Sequence, residues 1–238
     1  MKLDDLKIKL FADGADKNDM LAMNSNPIIS GLTTNPTLMK KAGIQNYETF
    51  CKDILEHISA KSISFEVFSD DLDEMEIQAK KISSWGENVY VKIPITNTRR
   101  EFTYEIIDRL SDDGVKLNIT ALMTLDQVRG VVSALNSDVE SYISVFAGRI
   151  ADTGIDPTPI MKESLEIMKA NNKSELIWAS PRELFNVIEA NNIGCHIITA
   201  TTDILKKLDL LNYNLDEYSL DTVKMFYQDA VEAGYKID

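Results

Sequence analysis

Short runs of apolar residues alternate along this chain with longer segments in which apolar residues recur at helical spacing. The short runs predict eight strands, at 8–13, 29–35, 63–68, 89–94, 116–122, 142–148, 175–180 and 195–201. The helical spacing predicts helices at about 46–60, 70–84, 98–113, 124–136, 158–170, 182–191, 202–210 and 218–233. Repeated strand–helix units favour a parallel sheet, and eight of them favour an α/β fold that closes into a (β/α)8 TIM barrel.

The alternative arrangement is an open, doubly wound sheet. It lacks the Gly-rich GxGxxG turn that commonly accompanies such sheets. No linker, low-complexity block or shift in composition marks a domain boundary. We therefore predict a single barrel domain over residues 1–238, with the helix at about 218–233 at its C-terminal end.

Two helix starts have recognisable capping chemistry. Thr124 is followed by Gln127, which makes a capping box. The segment Ser180-Pro181-Arg182-Glu183 predicts a cap, a first-turn proline and a first-turn acid.

Successive side chains of a strand point to opposite faces, so each strand can be divided into an inner and an outer set. In the run 89–94 the apolar valines and Ile93 belong to the outer face, which places Lys92 inside the barrel. The same alternation places Ala121, Ile177 and Ala179 on the outer face. The other residues that it places inside are Phe11, Asp13, Gly31, Thr33, Asn35, Ser64, Glu66, Phe68, Tyr90, Pro94, Asn118, Thr120, Leu122, Ser144, Phe146, Gly148, Trp178 and Ser180.

Lys92 carries the strongest indication of chemistry. Burial disfavours a charged ammonium and favours the free amine, and a free amine in a dry pocket is a nucleophile toward carbonyl carbon. A lysine on the wet side of an edge strand is the alternative, but a closed barrel has no edge strand. A barrel interior built only for stability would be filled with Val, Ile and Leu, whereas this one is predicted to be polar near the C-terminal strand ends, where barrels build active sites.

Charge limits the partners of the chain. The formal net charge is -13, which opposes binding to nucleic acid and to anionic membranes, so we expect neither as a partner. An anionic substrate must then be held by local cations, and the chain has only six arginines. Arg149 and Arg182 follow predicted strands and are the candidates.

Cysteine and histidine usage is sparse. Cys51 and Cys195 form no CxxC motif, which suggests reduced thiols and a cytoplasmic location. His57 and His196 stand alone, so a zinc site is not expected. No secretory signal is recognisable at the start, and no apolar run approaches the length of a membrane span.

Five motifs resemble the transaldolase family, and within it the small subfamily that also contains fructose-6-phosphate aldolases. The resemblance covers essentially the whole chain. The order and spacing of the motifs are more specific than any one of them. They are Gly31-Leu32-Thr33-Thr34-Asn35-Pro36, Val91-Lys92-Ile93-Pro94, Asn118-Ile119-Thr120, Ser144-Val145-Phe146-Ala147-Gly148-Arg149-Ile150 and Ala179-Ser180-Pro181-Arg182.

The resemblance implies a Schiff-base mechanism without a cofactor or a metal. Lys92 matches the imine-forming lysine, Asp13 the acid–base group at the C4 hydroxyl, and Glu66 with Thr120 the pair that holds the catalytic water. The substrate would be a sugar phosphate, such as fructose 6-phosphate or sedoheptulose 7-phosphate, and the chain would be a homo-oligomer. The positions that match substrate-binding residues of the family are Thr33, Asn35, Asn118, Ser144, Phe146, Arg149, Ser180 and Arg182.

Simpler roles remain open for several of these residues. Glu66 could serve only as a counter-ion, and Asp13 only as a cap for a helix near 16–23. Thr33 and Asn35 could form the turn before Pro36. Packing is the alternative for Asn118 and Ser144, helix capping for Ser180, and a surface charge for Arg149 and Arg182.

Three functions compete. A transaldolase would transfer a dihydroxyacetone unit between sugar phosphates, an aldolase would release free dihydroxyacetone, and a non-catalytic barrel would only bind a sugar phosphate. Fructose-6-phosphate aldolases typically have Gln and Tyr where this chain has Glu66 and Phe146, which favours transfer. The chain departs from the family at Gly14 and Pro181 and in a short segment after Arg182, near the phosphate end of the pocket, so a modified or longer sugar phosphate is an alternative substrate.

Overall fold

The structure, a computed structural model, describes residues 2–237. Residues Lys7–Leu205 form one compact unit, in which eight parallel strands close into a barrel with helices between them. The predicted (β/α)8 TIM barrel is thereby confirmed. Residues 2–6 and 206–237 form a second compact unit, and the single domain over residues 1–238 stays a prediction.

The strands and helices alternate in the predicted order. The strands are β1 (Lys9–Asp13), β2 (Ile29–Thr33), β3 (Ser62–Glu66), β4 (Val89–Pro94), β5 (Leu117–Leu122), β6 (Ser141–Val145), β7 (Ser174–Trp178) and β8 (Ile197–Thr201). The helices of the barrel unit are α1 (Lys17–Ser25), α2 (Pro36–Lys41), α3 (Tyr47–Leu55), α4 (Leu72–Ser83), α5 (Tyr104–Asp112), α6 (Leu125–Ala134), α7 (Ala147–Asp152), α8 (Thr158–Met168), α9 (Phe185–Asn192) and α10 (Thr202–Leu205).

Several boundaries differ from the prediction. Strands β2, β3, β6 and β7 end at 33, 66, 145 and 178, whereas the apolar runs suggested 35, 68, 148 and 180. Two short helices, α2 and α7, begin close to the ends of β2 and β6 and were not predicted; the first two residues of α7 lie in the predicted strand 142–148. Helix α5 begins at Tyr104 instead of 98, because residues 96–102 form a turn with a Thr96–Phe102 bridge.

The two capping predictions had opposite outcomes. The Thr124 hydroxyl accepts from the Gln127 N–H at 3.3 Å and the Gln127 side chain accepts from the Thr124 N–H at 3.0 Å, which confirms the capping box. Ser180 is not the cap of α9. Its φ is 58°, and the Asn186 side chain accepts from the N–H groups of Arg182 and Glu183.

Aromatic side chains fill the lower part of the barrel. The rings of Tyr90 and Tyr142 stack with centroids 4.1 Å apart, and Phe11 meets Tyr142 edge-on at 5.6 Å. Ile177 belongs to the same buried cluster. These residues form a dry floor beneath the polar strand ends.

The floor corrects the prediction for β7. Ile177 and Ala179 pack in the interior cluster, so Trp178 points to the outer face, the reverse of the predicted assignment. Both faces of a barrel strand are buried, and an apolar strand therefore carries no alternation that distinguishes them. Trp178 is 1% exposed although it faces the helices.

The terminal unit contains two 3-10 helices, Leu3–Asp5 and Lys206–Leu210, and the helix α11 (Leu215–Glu232). Helix α11 confirms the predicted helix at 218–233, three residues longer at its start. Asn214 caps it by accepting from the N–H groups of Asp216 and Glu217. No residue of α11 is buried.

The absence of a side chain at Gly31 leaves room for the Phe11 ring of the aromatic floor. It is paired in register with Phe11, and a Cβ at position 31 would lie 2.6 Å from the Phe11 ring and 2.6 Å from the Ser62 hydroxyl oxygen. We expect Gly31→Ala to lower the free energy of unfolding by about 1–3 kcal/mol, because overpacked cores must shift to relieve a clash. Urea unfolding monitored by circular dichroism measures the change.

Gly14→Ala is the matched control, because a Cβ there has no atom within 4 Å. Its expected effect is within about 0.5 kcal/mol. Equal stabilities of the two variants would contradict the packing role of Gly31.

Candidate active site

Three neighbouring strands bring their polar residues to one level of the barrel. In the parallel ladder Glu66 of β3 pairs with Lys92 of β4, and Lys92 pairs with Asn118 of β5. Paired residues of adjacent strands point to the same face. The three side chains therefore project together into the interior, toward the C-terminal ends of the strands.

The Lys92 amine is buried and has two oxygen partners. Its Nζ lies 3.0 Å from Glu66 Oε2 and donates to the Thr34 carbonyl oxygen at 2.9 Å, and the residue is 6% exposed. The carboxylate and the carbonyl oxygen hold the amine in place inside the barrel.

Asp13 faces the same space from the end of β1. Its Oδ1 accepts from the Thr33 hydroxyl at 2.8 Å, and the Thr33 and Thr199 hydroxyl oxygens are 2.6 Å apart. A hydroxyl has one proton, so with Asp13 ionised Thr33 donates to Asp13 and accepts from Thr199. Burial raises the pKa of Asp13, while Lys92 and the Thr33 hydrogen bond act in the opposite direction.

Asp13 is not a helix cap. The N-cap of α1 is Asp16, whose side chain accepts from the Asp19 N–H at 3.0 Å. The carboxylate of Asp13 is therefore left for the interior.

A second hydrogen-bond chain runs across β3, β5 and β6. The side-chain Nδ2 of Asn118 donates to the Ser64 hydroxyl at 3.0 Å. The Ser144 hydroxyl donates to the side-chain Oδ1 of Asn118 at 2.7 Å. All three residues are buried. The chain fixes the orientation of the Asn118 amide at the level of Lys92.

Thr120 and Ala121 both reach the interior, although successive strand residues normally point to opposite faces. The pairing of β5 with β6 shifts register between Ile119 and Leu122, and Ala121 has a φ of 65°. This irregularity turns Ala121 inward and corrects its predicted outer placement. The buried Thr120 hydroxyl has no hydrogen-bond partner among the described residues, so it is available to a water or a substrate.

One cavity of about 400 Å³ collects these groups. Every residue predicted for the site except Arg182 lines it, and their individual roles stay predictions. Phe68, predicted to be inside, is 61% exposed beyond the end of β3. The predicted residues along the wall are Asp13, Thr33, Asn35, Glu66, Lys92, Asn118, Thr120, Ser144, Phe146, Arg149 and Ser180.

Asn35 both caps a helix and lines the cavity. Its side chain accepts from the Leu38 N–H at 3.0 Å and so caps α2, and the residue also lines the cavity. Its amide nitrogen remains a donor for the interior.

Arg149 adds a second cationic side chain, besides Lys92, to the cavity wall. It is exposed, and its guanidinium lies over the Phe146 ring at 5.9 Å. Within residues 2–237 no carboxylate forms an ion pair with it. Gly148 allows the start of α7 to approach the backbone that follows β7. A Cβ at position 148 would lie 1.6 Å from the Ser180 carbonyl oxygen.

Arg182 is not brought into the cavity. Its Nε donates to Asp152 Oδ1 at 3.1 Å, and its Nη2 also binds the Asp152 carboxylate. Asp152 ends α7 and lies three positions after Arg149 in sequence. The position of Arg182 after a strand is visible in the sequence, whereas its pairing with Asp152 depends on the fold.

Thr199 and Ser64 are among the site residues that were not predicted from the sequence. Thr199 lines the cavity and contacts Thr33, and Ser64 was placed inside without being given a role. The alternation of inner and outer residues along β8 could have identified Thr199. Thr199 pairs in register with Phe11, which faces the interior.

Within the described part of the chain, no group of three or more His, Cys, Asp or Glu side chains could hold a metal ion. Among residues 2–237, no helix has both the length and the apolar character that crossing a membrane requires.

The fold and cavity define a class: a (β/α)8 barrel with a buried lysine–carboxylate pair beside a second carboxylate, at the end where barrels place their active sites. Residues 10–237 match the model of the Transaldolase/Fructose-6-phosphate aldolase family. The chain belongs to this family, as the resemblance of its motifs predicted.

Curated relatives agree in name. A "Probable transaldolase" of Streptococcus equi subsp. zooepidemicus (strain MGCS10565) is 32% identical over 202 residues, covering 84% of this chain and 90% of the relative. Another "Probable transaldolase", from Methanococcus maripaludis (strain C7 / ATCC BAA-1331), is 33% identical over 202 residues, with 84% and 89% covered.

Solved structures support the fold. KGPDC from Streptococcus mutans has a TM-score of 0.58 at 10% identity, covering 84% of this chain and 90% of that chain. The 3-keto-L-gulonate-6-phosphate decarboxylase from Vibrio cholerae O1 biovar El Tor has a TM-score of 0.54 at 11% identity, with 82% and 87% covered. At such low identity the likeness concerns the barrel alone.

Thr33→Val tests the hydrogen bond to Asp13. Losing this donor removes an interaction that favours the ionised carboxylate, so the pKa of Asp13 should rise further. If Asp13 acts as a base, the acid limb of the kcat/KM profile should move to higher pH, which a pH series of initial rates with a ketose phosphate measures.

Thr199→Val is the comparison variant, because it keeps the bond between Thr33 and Asp13. We expect a smaller shift in the same direction. An unchanged acid limb in Thr33→Val would contradict the role of this hydrogen bond.

Proposed function

We propose that this protein is a transaldolase, which transfers a dihydroxyacetone unit from a ketose phosphate to an aldose phosphate through a Schiff base on Lys92. The observation that supports it most is the buried Lys92 Nζ at 3.0 Å from Glu66 Oε2, in a cavity shared with Asp13. A buried amine with adjacent proton acceptors is the arrangement that nucleophilic amine catalysis requires.

The first step needs the free amine. Glu66 accepts a proton from the Lys92 ammonium, and the amine then attacks C2 of the ketose. The carbinolamine loses its hydroxyl as water, with Glu66 returning the proton to the leaving oxygen. Thr120 would hold this water, which agrees with a hydroxyl that is unpaired among the described residues.

The second step breaks a carbon–carbon bond. Asp13 takes the proton of the C4 hydroxyl, the C3–C4 electron pair moves into the iminium, and the aldose phosphate leaves with a new aldehyde. The raised pKa of Asp13 suits a group that gives and receives a proton in turn. The three-carbon enamine then attacks an incoming aldehyde, and hydrolysis of the imine releases the new ketose and restores Lys92.

The polar wall matches a polyhydroxylated substrate. Asn35, Asn118 and Ser144 offer donors and acceptors for the hydroxyl groups of a sugar, and Arg149 offers a fork that suits a phosphate. Arg182 would bind the phosphate with a second guanidinium group only after its ion pair with Asp152 breaks.

Phe146 favours transfer over simple cleavage. It lines the cavity with a ring that has no hydroxyl, so it cannot donate a proton to the enamine carbon. Glu66 is likewise the residue typical of transaldolases in the family. Release of free dihydroxyacetone, as in a fructose-6-phosphate aldolase, is the alternative.

Lys92→Met tests the proposal. With sedoheptulose 7-phosphate as donor and glyceraldehyde 3-phosphate as acceptor, wild type should form fructose 6-phosphate, measured by a coupled assay. Loss of the nucleophile should lower the rate by about 10³-fold or more.

Lys116→Met is the matched control, because Lys116 precedes β5 at the opposite end of the barrel, where it pairs with Glu140. It should keep wild-type activity. Comparable turnover of the ketose phosphate without any acceptor would point to the aldolase instead, and full activity of Lys92→Met would rule out the Schiff base.

We also propose that the chain forms a homo-oligomer. Helix α11 has no buried residue and exposes large apolar side chains, among them Val223 at 59%, Phe226 at 62% and Tyr227 at 71%. Apolar area of this kind is unfavourable in water and is typical of a surface that another copy covers.

Size-exclusion chromatography with light scattering tests the oligomer. Wild type should have a mass larger than that of one chain, and a Val223→Glu, Tyr227→Glu double variant should dissociate. Lys224→Glu, a charge change on the same helix, should not. A monomeric wild type at micromolar concentration would contradict the proposal.

A further inference from the structure

Strand β3 continues to Glu66, beyond the point at which its neighbour β2 ends. The Thr34 N–H donates to the Ser64 carbonyl at 3.2 Å, and the Val67 N–H donates to the Lys92 carbonyl at 3.0 Å. Alternate residues of a parallel strand bond to alternate neighbours, so the N–H and C=O of Glu66 face the β2 side, as those of Ser64 do. Strand β2 has already ended there, at Thr33.

A tyrosine hydroxyl takes the place of the missing strand. The Tyr47 hydroxyl donates to the Glu66 carbonyl oxygen at 2.7 Å and accepts from the Glu66 N–H at 2.8 Å. One side-chain oxygen thus satisfies both backbone groups of a single residue. Burial raises the pKa of Tyr47, so its hydroxyl keeps the proton that this arrangement needs.

The tyrosine itself is held from several sides. It is the first residue of α3, whose N-cap Asn46 accepts from the Thr49 N–H at 2.9 Å. Its ring meets Phe68 edge-on at 5.2 Å and Trp85 at 6.3 Å. A side chain fixed by a helix start and by two rings can hold a backbone position accurately.

We propose that Tyr47 is a positioning residue for the reaction: its hydroxyl fixes the Glu66 backbone, and through it the carboxylate that faces Lys92. The inference rests on the proposed function, because it assigns the effect to proton transfer between Glu66 and Lys92. Without the hydroxyl, two backbone groups lose their partner and the end of β3 shifts toward other partners. A displacement of about 1 Å at a reacting group can slow a reaction about 100-fold.

Tyr47→Phe removes the hydroxyl and keeps the ring. Full-length protein is mixed with fructose 6-phosphate, and the rate at which a borohydride-stable adduct appears on the protein is measured in single turnovers. We expect this rate to fall about 10- to 100-fold with little change in the substrate concentration that gives half-saturation. A role in folding alone would lower the active fraction without changing the rate in the folded molecules.

Tyr142→Phe is the matched control. It also removes a tyrosine hydroxyl bond, to the Ser62 hydroxyl at 3.2 Å, but in the aromatic floor. It should form the adduct at the wild-type rate.

A double-mutant cycle tests whether Tyr47 acts through Glu66. In a Glu66→Ala background, Tyr47→Phe should cause no further slowing, because the group that it positions is gone. Should Tyr47→Phe not fold, Phe68→Ala replaces it. Phe68 is exposed, and loss of its ring should slow adduct formation less, again only when Glu66 is present.

The contrary results are distinct. No adduct in wild type would overturn the proposed function and this inference together. An adduct in wild type that forms equally fast in Tyr47→Phe, or in Phe68→Ala where that variant is used, would overturn only the inference. Slowing that persists undiminished in the Glu66→Ala background would also overturn it.

Discussion

Closure of eight parallel strands into a barrel determines which groups surround Lys92. It gives β4 two hydrogen-bonded neighbours and removes the edge at which Lys92 could reach bulk water. The same ladder places Glu66 and Asn118 beside it in register. Its amine is therefore surrounded by protein groups that the strand pairing selects.

The barrel divides its interior between stability and chemistry. Below Lys92, the rings of Phe11, Tyr90 and Tyr142 form an apolar floor that excludes water. Above it, polar side chains line an open cavity, and Ala121 and Ser180 adopt left-handed backbone conformations that are unfavourable for residues with a Cβ. A buried ion pair contributes little to stability compared with well-packed apolar residues, so the pair of Lys92 and Glu66 fits a chemical role better than a structural one.

Much of this arrangement could be predicted from sequence, because two local patterns determine it. Strands alternate with helices along the chain, and polar residues alternate with apolar residues along several strands. Lys92, Glu66 and Asn118 lie on strands with one polar and one apolar set, and there the alternation placed them correctly. In β7 both sets are apolar, and the assignment of Ile177 and Trp178 was reversed. A bulge in β5 likewise turned Ala121 inward without any signal in the residue types.

Contacts between residues far apart in sequence account for the other omissions. The ion pair of Arg182 with Asp152 depends on where α7 ends, and the bond between Tyr47 and Glu66 depends on where β2 ends. Thr199 reaches Thr33 only because β8 closes the barrel onto β1. Such partners follow from tertiary geometry and not from spacing along the chain.

Mapping the covalent adduct shows whether Lys92 is the residue that forms the Schiff base. After reduction with borohydride in the presence of fructose 6-phosphate, the protein would be digested and its peptides sequenced by mass spectrometry. We expect one modified residue, Lys92, and no modification when the ketose phosphate is omitted. Modification of a different lysine, or none in active enzyme, would contradict it.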